Sequence, residues 1–318
     1  MPNPTPVDVQ PIDPVLTNLC IGYQQSDDRF IALKLFPGVP SEKMSGQYAT
    51  FTKKYWFTNE MVPRVPGGPY KRSDFGVGWT SYTTQQAALA FPLADETRAD
   101  SMVPMDLESA GLLWLAQKSL LYKELSLSTS FFKTSLWGTD FTGGTTGPKW
   151  SDFAAGDPVA DIKKAVRTIS DNTGTRANTL ALGNAVDEVL NLHPDIIDRL
   201  KYTAQANAQN IVNALAAIFG VDNYLMSSAV YSNTNEAAAF AASPIIGKVA
   251  LVCVVNPNAG IFGATAGKTF FWLPGGGLGG VRKWRDEQND ADLLKYKEQW
   301  SQAATATDQG YYFTTIVA

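Results

Sequence analysis

The sequence predicts an α+β fold. Three stretches carry that prediction. A helix, a short strand and two further helical turns follow one another from Asp157 to Tyr202. Aromatic and polar residues alternate from Met44 to about Ala90, as in strands. A long helical period runs from Pro104 to about Leu125.

The first of these has the clearest punctuation. Asp157 is a helix cap, and Pro158 suits the first helical position because its missing N–H has no partner to lose there. Ile162, Ala165, Val166 and Ile169 recur at i, i+3, i+4 and i+7 and form one apolar face. Asn172-Thr173-Gly174 ends the helix. Thr179-Leu180-Ala181-Leu182 is a buried strand, and Gly183-Asn184 turns the chain into the next helix with Asn184 as cap. His193-Pro194 interrupts that helix and restarts it.

Taken in order, residues 1 to about 29 are proline-rich and without helical period, so an extended arm is expected. Phe30–Phe36 reads as a strand ended by Pro37-Gly38. Tyr48, Phe51, Tyr55, Trp56 and Phe57, then Tyr70, Phe75, Trp79 and Tyr82, flank the run Val62-Pro63-Arg64-Val65-Pro66-Gly67-Gly68-Pro69. That composition predicts a long hairpin with a proline-glycine tip and little core of its own. Ser128 to Pro148 is expected to be a loop between strands. Ala208–Phe219 is a helix stopped by Gly220, and Tyr224–Ser232, Val249–Val255 and Thr269–Leu273 are strands. Around Glu236 to Ala242 lies an alanine-rich connection. Gly275–Gly280 is a hinge, followed by a strand Val281–Arg285, a charged stretch, and a strand-like Tyr311–Val317.

Composition narrows the function. Charged residues are 18% of the 318, below the usual ~25%, as in a protein whose surface is covered by neighbours. A net charge of −4 argues against a sequence-reading nucleic-acid binder. Cys20 and Cys253 form no metal or redox motif, the amino terminus has no signal pattern, and no apolar run is long enough to cross a bilayer. A reducing compartment is expected.

No reaction chemistry emerges. Gly263-Ala264-Thr265-Ala266-Gly267-Lys268-Thr269 resembles a phosphate loop but has three residues between its glycines where four are needed, and a strand-like Phe270–Pro274 follows in place of a helix. A hairpin turn is expected. His193 is the lone histidine, which excludes a histidine triad or a multi-histidine metal site within one chain. Its position predicts a structural or capping role. Asp187-Glu188 and Asp286-Glu287 are adjacent carboxylates that do not share a face and are expected to be solvated. Lys53-Lys54 beside Tyr55 and Trp56 point to a subunit contact more than to a single-stranded nucleic acid.

The segment DPVADIKKAVRTISDNTGTRANTLALGNAVDEVLNLHPDIIDRLKY resembles a recurrent segment of tailed-bacteriophage major capsid proteins. FIALKLFPGVP, followed by Gly46-Gln47-Tyr48 and KKYWF, resembles an earlier part of the same family. The resemblance implies the Hong Kong phage-type capsid fold. It assigns 1–43 to an N-terminal arm and first strand, 44–96 to an extended β-hairpin loop, and 97–180 to a peripheral domain with a long spine helix. It assigns 181–274 to an α/β axial domain and 275–318 to a return to the peripheral domain. The implied function is a major capsid protein, not an enzyme, that assembles as pentamers and hexamers into the icosahedral head around viral DNA. No catalytic residue, cofactor or metal is implied. Implied partners are the protein itself, a separate scaffolding protein, a portal protein, a decoration protein, and double-stranded DNA touched non-specifically. With no long helical extension before the arm, the resemblance implies a separate scaffolding protein or an arm that does that job. The implied place is the virion, after assembly in the host cytoplasm, with no membrane. Arg64, Tyr70, Lys71, Arg72, Phe75 and Trp56 are the candidate intersubunit contacts, with Asp286, Glu287 and Asp290 as acceptors. Two alternatives stand at this point: a cellular nanocompartment shell of the same fold, and an α/β nucleotide-binding enzyme using Lys268.

Overall fold

The structure, a computed structural model, describes residues 25–99, 107–200, 208–234, 239–258 and 263–318. Residues 1–24 of the expected arm, the helix start at Pro104, Lys201-Tyr202 and part of the alanine-rich connection lie outside the described residues; the arm's described end, Asp27–Arg29, is a short 3-10 turn.

In chain order the elements are α1 (Ala32–Leu35), β1 (Gly38–Ser41), β2 (Ser45–Phe51), α2 (Lys53–Phe57), β3 (Val77–Thr83), β4 (Gln85–Ala94) and α3 (Asp95–Ala99). The long helix α4 (Leu107–Phe131) and β5 (Thr139–Thr142) follow. Next come α5 (Pro158–Thr173), β6 (Thr179–Gly183), α6 (Asn184–Leu192), α7 (Pro194–Leu200), α8 (Ala208–Phe219) and β7 (Asn223–Ser227). The chain closes with β8 (Val230–Tyr231), β9 (Ser243–Pro244), β10 (Ala250–Cys253), β11 (Gly267–Trp272), β12 (Gly280–Asp286), β13 (Ala291–Ala304) and β14 (Gly310–Thr314).

One sheet has the order β5-β14-β10-β6-β7, parallel at its two edges and antiparallel between β14, β10 and β6. It is buried on both faces, and its side chains sort by parity. Leu180, Leu182, Ala250, Val252, Tyr311 and Phe313 pack with Ile162, Ile169, Leu190, Leu215 and Phe219 from the helices on one side. Ala181, Leu251, Cys253 and Tyr312 pack on the other with Ile31, Phe36, Leu127 and Phe131. This is why β6 and β10 are continuous apolar runs. Tyr312 also donates its hydroxyl to Phe132 O at 2.9 Å, tying the sheet to the end of α4. Buried Cys253 has its thiol pushed up to about 12 by that burial.

The second sheet is organised by β13. Ala291–Lys297 pairs with β12, Ala291–Trp300 with β4, and Trp300–Ala304 with β11, on which β1 adds in parallel. The helix α4 lies across it, joined by a buried ion pair of Lys123 with Glu298 at 2.5 Å. Burial holds the Lys123 ammonium below its ordinary range.

α5 forms as the sequence dictates. Asp157 Oδ1 accepts from Ala160 N at 2.9 Å, the predicted apolar face is buried, and Gly174 closes the helix at φ +68°. Several expectations are corrected. Phe30–Phe36 holds helix α1, not a strand, because buried Glu124 caps its start: Oε2 accepts from Ile31 N at 3.0 Å and from Ala32 N at 2.9 Å. Lys53–Phe57 is helical, not extended. Gly183, not Asn184, is the cap residue of α6, and no side chain caps it. α4 continues to Phe131 because Leu127 and Phe131 still have a core to enter. The charged stretch after Arg285 is mostly strand β13, in which Lys295 is exposed while Glu298 is buried against Lys123.

Candidate intersubunit surface

β2 and β3 pair from Ser45↔Thr83 to Phe51↔Val77 and form the expected hairpin. Its base is held by its own chain: Tyr82 and Tyr48 stack on Phe270 with ring centroids 4.4 and 5.5 Å away. The Tyr82 hydroxyl lies 2.6 Å from Ser41 Oγ. Gly46 leaves room for that ring, since a Cβ there would stand 2.8 Å from the Tyr82 oxygen. Between the strands Pro66-Gly67 forms the turn. Gly68 N donates to Val65 O at 3.0 Å, and Gly67 takes φ +83°, which a side chain would resist.

The structure gathers the predicted contact residues into two groups. Trp56, on α2, and Phe75 meet with ring centroids 5.9 Å apart, and Phe51 lies about as close to both, at 6.0 and 6.1 Å. Arg64 stands over the Tyr70 ring, 4.0 Å from its centroid. Lys71 and Arg72 join neither group and are exposed. Apolar side chains along this tip face solvent: Met61 is 91% exposed, Tyr70 77% and Val65 76%.

Sequence reasoning missed two anchors, the stack on Phe270 and Lys53. Lys53 does not reach away from its chain: its ammonium pairs with Asp308 at 2.6 Å and lies 3.5 Å from Asn172 O. No local pattern shows a contact between residues so far apart in the chain. Of the three acceptor candidates, Glu287 is exposed. Asp286 accepts from Gln288 N and Asn289 Nδ2 at 3.1 and 2.8 Å, and Asp290 lies 3.7 Å from Arg285.

Charges elsewhere are mostly internally balanced. Arg285 bridges Asp95 at 2.6 Å and Asp292 at 3.4 Å, Arg98 reaches Asp292 at 2.9 Å, and Lys283 reaches Glu108 at 2.8 Å. The hydrogen bond from Arg285 holds the Asp95 carboxyl below its ordinary range, and that from Arg98 does the same for Asp292. Asp187 is not simply solvated. It accepts from the Tyr224 hydroxyl at 2.5 Å, and burial raises that phenol.

Lys268 lies within β11, opposite Ala303, and the neighbouring Thr269 hydroxyl donates to Phe36 O at 2.9 Å. No helix follows to present its N-terminus to a phosphate, so the nucleotide reading loses its geometry. The glycine-lysine run is not a hairpin turn either, because β10 and β11 belong to different sheets. His193 is fully buried in the α6–α7 break, its Nε2 3.1 Å from Gly156 O, and its carbonyl accepts from Ile196 N and Ile197 N. That is a structural and capping position. Among the described residues no group of three or more histidine, cysteine or acidic side chains could hold a metal ion.

Comparison with known structures places this architecture. A phage-related protein from Bordetella bronchiseptica RB50 superposes with a TM-score of 0.71 over 96% of this chain and 97% of its own, at 21% identity. The capsid protein of the native GTA particle superposes with a TM-score of 0.60, covering 92% of each chain at 11% identity. The chain has the phage major capsid fold. In sequence it is 26% identical over 227 residues to the major capsid protein of Burkholderia phage BcepMu, spanning 71% of each protein. No family model matches.

Proposed function

We propose that this chain is a major capsid protein: a structural protein that assembles with copies of itself into the shell of a phage particle. One observation carries the reading. A chain with the capsid fold extends a hairpin whose tip exposes Met61, Val62, Val65 and Tyr70 with no core of its own to receive them. A closed shell removes that surface from water on every copy at once. The phage relative in sequence supports this over a cellular compartment.

The finer features follow from the same reading. Residues 1–43 serve as arm and first strand, 44–96 as the extended loop, 97–180 and 275–318 as the peripheral domain, and 181–274 as the axial domain around five- and sixfold centres. Trp56, Arg64, Tyr70, Lys71, Arg72 and Phe75 contact the adjacent subunit. A scaffolding protein, a portal protein and a decoration protein are its partners, and double-stranded DNA is enclosed with non-specific contacts. Assembly takes place in the host cytoplasm and the product resides in the virion. Negative-stain imaging of the purified protein, alone and co-expressed with its neighbouring phage genes, tests the reading. Shells or capsomers tens of nanometres across are expected. A strict monomer at every concentration and salt level overturns it.

A further inference from the structure

β12 carries three cations, and parity divides them. Lys283 and Arg285 point to the α4 side of the sheet, where Glu108, Asp95 and Asp292 neutralise them. Arg282 points to the opposite side, directly across from Lys295 of β13, and Lys297 follows two residues along on the same side. None of Arg282, Lys295 and Lys297 has an acidic partner among the described residues. Like charges directly opposed across two strands destabilise a sheet, so this pair stands at a cost that an external anion would remove.

The same face carries an apolar strip. Trp284 is 66% exposed, opposite Leu293, whose other cross-strand neighbour is Pro92. Ala90 and Ala88 on β4 stand opposite Lys295 and Lys297 and keep the face flat.

We propose that this face, with Trp284 as anchor and Arg282, Lys295 and Lys297 as rim, is the seat of a separate protein with an acidic surface. An exposed indole beside arginine is the composition of a protein hot spot with a charged rim. The backbone of a DNA duplex offers phosphates but no cavity for an indole. The hairpin of another copy is a poor occupant, because, with Lys53 held by Asp308 of its own chain, Lys54, Arg64, Lys71 and Arg72 still outnumber Glu60 and Asp74 along it. The inference rests on the capsid reading only in placing this face on the outside of an assembled particle.

The test uses assembled particles with three fluorescent probes: a random glutamate–tyrosine copolymer, polyglutamate, and duplex DNA of matched charge. The expected order is the copolymer first, with a change in tryptophan emission that Trp284→Ala removes. Arg282→Glu with Lys295→Glu weakens copolymer binding by roughly tenfold or more while shells still form. Arg282→Gln with Lys295→Gln replaces that pair if the reversal does not fold. DNA binding equal to or tighter than the copolymer, or no binding at all, overturns the proposal. So does a face that binds in free capsomers but is closed in shells, which would make a second copy its occupant. Shells that form normally without binding any probe sink this inference and leave the capsid reading intact.

Discussion

At the scale of single residues, Glu124 shows how a charge can be committed inside a core. It is fully buried on α4, with Oε2 accepting the two backbone N–H groups that open α1 and Oε1 accepting the Ser227 hydroxyl at 2.8 Å. One carboxylate thus joins the root of the amino-terminal segment, the long helix and β7. Burial raises its carboxyl above the ordinary glutamate range, and the three hydrogen bonds and Lys34 only partly offset that. A raised folded-state value means that the native chain holds this proton more tightly than the unfolded one. The stabilisation it gives is therefore complete below the unfolded value, about 4.3, and is lost as pH rises through the folded value. Glu124→Gln removes this titration. Chemical denaturation across pH should show the difference in stability between wild type and Gln variant sloping just above the ordinary glutamate range and flat below it. A constant difference across that window would show that burial does not govern the group. Glu124→Ala is harsher, because it strands buried donors on Ile31, Ala32 and Ser227. It should cost roughly 2–5 kcal/mol and be read as a lower denaturation midpoint.

At the scale of elements, what was legible in the sequence is what is decided locally. α5 carries its own cap, stop and apolar stripe, and it forms where they say. β6 and β10 are legible because burial on both faces makes them almost entirely apolar runs. α1 was not legible, because its cap is Glu124, some ninety residues further on. β13 was not either, because its buried Glu298 looks like surface until Lys123 is seen beside it. Of the contact surface, the tip and its aromatic-arginine composition were visible in the sequence, while the stacked base on Phe270 and the Lys53–Asp308 pair were not. These give the hairpin two regimes, a base packed on its own sheet and a tip with exposed apolar side chains. The tip backbone from Pro66 to Tyr70 should therefore be the preferred protease cut in the free subunit, and it should be protected in shells. Mass mapping of limited digests decides this, and equal cleavage in both states would show that the tip stays uncovered after assembly.

At the scale of the whole molecule, the low charge content and the way the charges are spent belong to one design. The network of Arg285, Arg98, Lys283, Asp95, Asp292 and Glu108 is satisfied within the chain. Among the described residues, Lys71 and Arg72 have no such partners at the hairpin tip, flanked by Tyr70 and Phe75. Exposed cations of this kind contribute little to the stability of their own chain. Opposite an anionic patch on the next copy they set encounter rate and register, and their effect falls with ionic strength. Asp286, Glu287 and Asp290 stand at the β12–β13 turn, and Glu287 is free of the local bonds that hold the other two. Lys71→Glu with Arg72→Glu should leave the circular dichroism spectrum and the solubility of the free subunit unchanged. Shell yield should collapse, and more severely at low salt than at high salt, because screening weakens the new repulsion. A further change of Glu287→Lys should restore part of the yield if that carboxylate is the acceptor. Normal shells from the double reversal would remove the tip charges from assembly, and an equal loss at all salt levels would mean that their packing, not their charge, is what the neighbour reads.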